Sequence, residues 1–148
     1  MKLEIVQHPD PRLGLVCSAV DTVDAKLIED MFETMYTAPG RGLAAPQVGV
    51  MSRVFVMDAT WKEGSMTPMA FVNPKITEQG GTQVNEEACL SIADFSRYIV
   101  RPEWVDLTWT NIDGTAQSGR FNGFAAACIC HEIDHLDGTL ITDHEAAA

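Results

Sequence analysis

Five residues near the C-terminal end, His131-Glu132-Ile133-Asp134-His135, constrain this chain more than any other stretch, because they form a metal site only in a helix. At 3.6 residues per turn the two histidines lie about 40° apart around the axis and roughly 6 Å apart along it, so both imidazoles reach one cation. Glu132 flanks that face. Its carboxylate is better placed to reach a water on the cation than the cation itself, which is the division of labour in hydrolytic H-E-x-x-H sites. The alternative is a buried helix whose histidines only hydrogen-bond.

A chain of 148 residues, 46% hydrophobic and 21% charged, can bury a sizeable core, and residues 1–148 read as one domain. The formal charge of -11 argues against nucleic acid and anionic membrane surfaces as partners, since both demand a cationic footprint. No apolar run approaches the ~20 residues of a membrane span, and Met1-Lys2-Leu3-Glu4 opens no signal peptide. A cytoplasmic chain is expected. Its four cysteines, Cys17, Cys89, Cys128 and Cys130, then read as reduced thiols.

Leu27, Ile28, Met31, Phe32 and Met35 recur at helical spacing from Asp24 to Tyr36, with Asp21 or Asp24 as N-cap and Pro39-Gly40 as the stop. After a Gly-rich turn come β-prone runs over 53–58, 70–73, 75–78, 82–85, 98–101 and 105–110. Asn111-Ile112-Asp113-Gly114 reads as a hairpin turn into a last strand over 116–121. A second helix is expected from about Asn122 to Leu136, ended by Asp137-Gly138, and it is apolar on its far side through Ile129, Ile133 and Leu136. The class is α+β: mostly antiparallel sheets around a buried C-terminal helix, plus one N-terminal amphipathic helix. Residues 146–148 read as an end tail.

A catalytic site of this kind keeps three protein ligands and one open position. The sixth residue after His135 is Ile141, which excludes a third histidine in the metzincin position. Asp143, His144 and Glu145 lie in a short tail, so the third ligand is expected upstream. Cys128 sits one turn before His131 but about 10 Å along the axis from His135, and Cys130 points elsewhere. Cys17 has no other chemistry nearby. Cys89, within Glu86-Glu87-Ala88-Cys89-Leu90-Ser91, has an acidic setting that disfavours a thiolate, a bias that a bound cation reverses.

Three ordered blocks now resemble the peptide deformylase family: residues 40–47 (GRGLAAPQ), 87–91 (EACLS) and 131–138 (HEIDHLDG). Weaker similarity runs through 9–13, 30–36 and Asn73-Pro74 and covers nearly the whole chain. The resemblance implies hydrolysis of the formamide bond at formylated peptide N-termini, with Cys89, His131 and His135 holding one divalent ion. Ferrous iron is the family precedent, and zinc, nickel or cobalt suit the same donors. Glu132 is implied as general base, Gln47 and the backbone N–H of Leu90 as oxyanion donors. Gly42, Arg41, Asn85 and Glu87 are implied on the substrate side, and Glu87 also pairs with Arg101 behind the metal ligand. A non-catalytic binder of peptide N-termini has no use for a base, so Glu132 favours hydrolysis.

Four positions depart from the family pattern. Arg41 replaces an aliphatic residue, Ala88 a glycine, Cys130 a glutamine and Asn85 an apolar pocket residue. A more polar side-chain pocket is expected, with Arg41 either discriminating for a polar or acidic N-terminal residue or turned to solvent. Alanine at 88 strains the loop if positive φ is needed there. Only residues 139–148 follow Gly138, so the extra C-terminal helix of many members, and ribosome docking through it, are not expected.

Overall fold

The computed structural model describes residues 1–147, and the end-tail reading of Ala148 lies outside them. Helix α1 (Ala25–Thr37) begins where the Asp24 carboxylate accepts the Leu27 N–H at 3.0 Å. Five strands form an antiparallel sheet in the order β1-β2-β3-β6-β7: β1 (Gly42–Ala44), β2 (Val54–Met57), β3 (Met69–Gly80), β6 (Trp104–Thr110) and β7 (Ala116–Asn122). Strands β4 (Gln83–Cys89) and β5 (Ile92–Arg101) form a separate hairpin. Helix α2 (Gly123–Leu136) follows β7. The expected α+β class is the one observed.

Strand periodicity explains the layering. Successive side chains point to opposite faces, so Val54 and Val56 join Ile28, Met31 and Met35 of α1 in one buried cluster. Phe55 and Met57 join Ala126, Ile129 and Leu136 of α2 in another. A strand covered on both faces needs apolar residues throughout, and all four residues of β2 are buried. On the α2 side Phe55 and Phe71 stack with ring centroids 4.6 Å apart, and Trp109 closes on Phe71 at 5.0 Å. Each fully buried ring is worth about 2–3 kcal/mol of transfer energy. A third cluster, with Leu13, Ile92, Ile99 and Ile141, fastens the β4–β5 hairpin to both ends of the chain. Among the described residues no helix is long and apolar enough to cross a membrane.

Three elements differ from the sequence expectation. Pro74 does not divide β3, because the chain bulges there: register shifts between Val72 and Lys75, and Asn73 takes φ 50°. The Asn73 amide secures the bulge by bonding both the N–H and the C=O of Val20 at 2.8 Å. Strand β1 stands where only a turn was expected; it is three residues long. The β4–β5 hairpin runs from Gln83 to Arg101, well beyond the expected 82–85 and 98–101. Its inward face carries charge, Glu87 and Arg101, which hides the strand pattern in the sequence.

Candidate active site

Two elements converge on one point. Helix α2 delivers His131, Glu132 and His135. The end of β4 delivers Cys89, where the register shifts after Ala88 so that Cys89 opposes Ile92 across a tight turn. The N-terminal segment pins that turn: the His8 N–H donates to the Ser91 carbonyl at 2.7 Å and the Gln7 amide to the Leu90 carbonyl at 3.0 Å. One ligand atom each from Cys89, His131 and His135 lie within 4.8 Å of one another. The Cys89 sulfur is 3.4 Å from His135 Nε2.

The surroundings fit a cation. His131 Nδ1 meets Glu87 Oε1 at 2.9 Å, which leaves Nε2 as the free nitrogen, the arrangement that fixes the tautomer of a metal-binding histidine. Glu87 is in turn held by two parallel bonds from Arg101, both 2.8 Å, and Arg101 also donates to Asp134 at 2.7 Å. Burial pushes the Glu87 carboxyl up, but the bonds from Arg101 and His131 outweigh it and hold the group at about 2. Burial likewise pulls the His131 imidazole down, and bonding to Cys89 and Glu87 carries it up to about 10, so a cation at Nε2 would displace a proton there. Burial and the neighbouring His131 keep His135 well below its ordinary value, hence neutral as a ligand needs to be.

Glu132 is 3% exposed, and its Oε1 is buried without a hydrogen-bond partner. Burial lifts its carboxyl to about 7, in the range of a base that works near neutrality. The glycines at 40 and 42 have separate reasons. A Cβ on Gly42 would run into Glu132 Oε2, and one on Gly40 would come within 2.7 Å of Leu90 Cδ1. Gln47 is oriented by its own carbonyl, which accepts the Ala44 N–H at 3.0 Å and turns Nε2 toward Ser91 Oγ and the Cys89 sulfur at 3.0 and 3.6 Å.

These groups open onto a cleft of about 340 Å³. Every site residue singled out from the sequence lines it except His135, which closes the ligand set from behind. Glu87 lines the cleft while both its oxygens are engaged by Arg101 and His131, the charged pair that the resemblance implied behind the metal ligand. The condition for strain at Ala88 is not met, since it lies in β4 and is not among the residues at positive φ. Arg41 is not turned to solvent; its Nη2 donates to Glu63 at 3.0 Å and its guanidinium lies 5.3 Å from the Phe124 ring centre. The Cys128 thiol points to the Arg41 carbonyl. Sequence reading missed Asp134 and His144, which extend the Arg101 network through a 2.8 Å contact, and Ser91; no spacing signal marks them.

A thiol, two imidazoles and a buried carboxylate around one point define a site of the mononuclear metal-hydrolase class. The family model described as polypeptide deformylase matches residues 2–147, and the chain belongs to that family. A peptide deformylase of Rhodopseudomonas palustris is 46% identical over 147 residues, covering 95% of this chain and 84% of that protein. The crystal structure of the Thermotoga maritima peptide deformylase superposes with a TM-score of 0.92 at 38% identity, covering 99% of both chains. The Ehrlichia chaffeensis peptide deformylase in complex with actinonin gives a TM-score of 0.92 at 38% identity, covering 98% of this chain and 89% of that one.

Proposed function

We propose that this chain, a single domain over residues 1–148 and cytoplasmic, hydrolyses the N-formyl group of peptide N-termini, releasing formate and a free amine. Cys89, His131 and His135 would hold one divalent cation, ferrous iron on the family precedent, with zinc, nickel or cobalt as substitutes. When bound, such a cation supplies Lewis acidity and a water of lowered pKa. The observation that carries the reading is the convergence of Cys89, His131 and His135 on one point beside Glu132, whose buried Oε1 has no partner and whose Oε2 lies where a side chain on Gly42 would be.

The residues divide the work. Glu132 takes the proton of the attacking water as oxygen adds to the formyl carbon, then gives it to the amine as the C–N bond breaks. The formyl oxygen, gaining charge, accepts from Gln47 Nε2 and the Leu90 N–H; one such donor is worth roughly 3 kcal/mol in the transition state. Glu87 holds the His131 ring in place, and Gly42 admits the substrate backbone close to β1.

The test is metal analysis of anaerobically prepared protein together with formate release from formyl-peptides. Stoichiometric metal and steady formate release are expected, with Glu132→Ala retaining the metal and losing turnover. Metal bound at another site, or full turnover without Glu132, would overturn the reading.

A further inference from the structure

The cleft extends along α2 well beyond the ligand set. Phe124, Ala127 and Cys128 line it on the same helix face as His131, which carries it about 10 Å from His131 toward the helix N-terminus. Ala127 and Cys128 make an apolar floor, and the far end is different. Arg41, which lies over the Phe124 ring, brings a guanidinium to that end, and Lys62 and Asn85 also line the cleft, as do the carboxylates of Glu86, Glu87 and Glu132.

Arg41 and Lys62 are under-used by the protein, whereas the Asn85 amide already donates to Gln83 Oε1 at 3.0 Å. Arg41 makes one side-chain hydrogen bond among the described residues, Nη2 to Glu63, whose side chain is 61% exposed; its Nε is buried without a partner. Lys62 lies 5.7 Å from the Trp61 ring centre and has no carboxylate within salt-bridge distance among the described residues. A guanidinium held against an aromatic ring, with only one solvated carboxylate as partner, is a donor set that an incoming acceptor completes.

We propose that this end of the cleft recognises a hydrogen-bond acceptor at the tip of an unbranched side chain on the formylated residue, with Arg41 as the specificity-determining donor. A carboxylate, an amide oxygen and a sulfoxide share that chemistry: glutamate, glutamine and oxidised methionine. The apolar floor takes the methylene stem, and the tip meets the guanidinium in place of Glu63. The inference rests on the deformylase reading given above.

The experiment compares kcat/KM for formate release from formyl-X-Ala-Ser, with X as norleucine, glutamate, glutamine or methionine sulfoxide, using metal-loaded protein. Wild type is expected to favour at least one acceptor-bearing X over norleucine by tenfold or more. Arg41→Ile reverses that ratio. Glu63→Gln, an exposed change that frees Arg41 from its internal carboxylate, raises the preference further, which a purely structural Arg41 would not do. A rise confined to glutamate identifies a charge-recognising site; equal rises for glutamine and sulfoxide identify a neutral-acceptor site. Efficient turnover of formyl-norleucine, with acceptor-bearing peptides no better in wild type and the ratio unmoved by both variants, overturns this inference alone. No formate from any of the peptides overturns it together with the deformylase reading.

Discussion

Helices α1 and α2 are nearly the same length and meet opposite faces of the same strands, yet they bury different things. α1 buries Ile28, Met31 and Met35 and leaves its other side in water. Its one buried carboxylate, Asp30, is tied to Lys26 at 2.7 Å and to the chain's amino terminus at 2.6 Å. α2 is buried along eight of its fourteen residues and includes Glu132 and His135, each with a buried atom that has no partner. Burial in α1 stabilises the fold. Part of the burial in α2 costs stability and is kept for chemistry, because an unpaired buried carboxylate is expensive in a folded protein.

The largest effect separates those two uses directly. Glu132→Gln is expected to lower kcat for formate release by ~10²–10⁴-fold while leaving the melting temperature equal or higher. The sign of the pH dependence follows from its raised pKa. In metal-stripped protein this carboxyl contributes stability that is full below its unfolded value and is lost as pH rises through about 7. Urea melts of the stripped protein from pH 5 to 8 measure that slope, and Glu132→Gln should reduce it, leaving the part that the raised His131 contributes above its ordinary value. A variant that loses stability as well as turnover would break the contrast between the helices.

The reciprocal change in α1 comes next. Met31 is fully buried between α1 and β2, so Met31→Ala is expected to cost ~2–5 kcal/mol in urea unfolding. The kcat of the remaining folded protein should be unchanged. A fall in kcat at full folding would mean that α1 positions the site through β1, which carries Gly42.

Much of this was legible in the sequence, for reasons that differ by element. α1 announced itself through a 3.6-residue apolar period and a cap, and both helices lie within two residues of their expected ends. The five-residue motif on α2 gave two imidazoles and a base, because helical spacing alone brings them to one side. The hairpin was harder. Glu87 and Arg101 face inward from β4 and β5, and charge on a strand's inner face imitates a loop. That same pair, reached through family resemblance and not through strand patterning, positions His131, so the part of the site that local pattern misses is the part made by long-range contact: Glu87 lies 44 residues from His131. Gly42 was also opaque, since its reason is a carboxylate ninety residues later and not a local turn.

Breaking the hidden pair therefore gives a smaller, selective effect. Glu87→Gln keeps an oxygen for His131 Nδ1 but loses the charge that Arg101 grips from both sides. Metal affinity is expected to fall 10–100-fold, read by competition with a chelator, while kcat at saturating metal falls less. An unchanged affinity would make Glu87 a structural partner of Arg101 and no more.

The smallest effect sharpens the comparison at the helix entrances. Asp24 caps α1 through a 3.0 Å bond to the Leu27 N–H, so Asp24→Ala should cost about 1 kcal/mol. Asn122 occupies the same position before α2 and makes no such bond. The start of α2 is held from outside instead: the Gly123 N–H donates to the Glu103 carbonyl at 2.8 Å, and the Gln83 amide donates to the Gly123 carbonyl at 2.7 Å. Asn122→Ala should then stay within about 0.5 kcal/mol of wild type, the range of an ordinary surface change. A surface helix carries its own start signal because little else fixes where it begins. A helix enclosed by sheet and hairpin has its start fixed by neighbours, and equal costs for the two alanines in urea unfolding would refute that distinction.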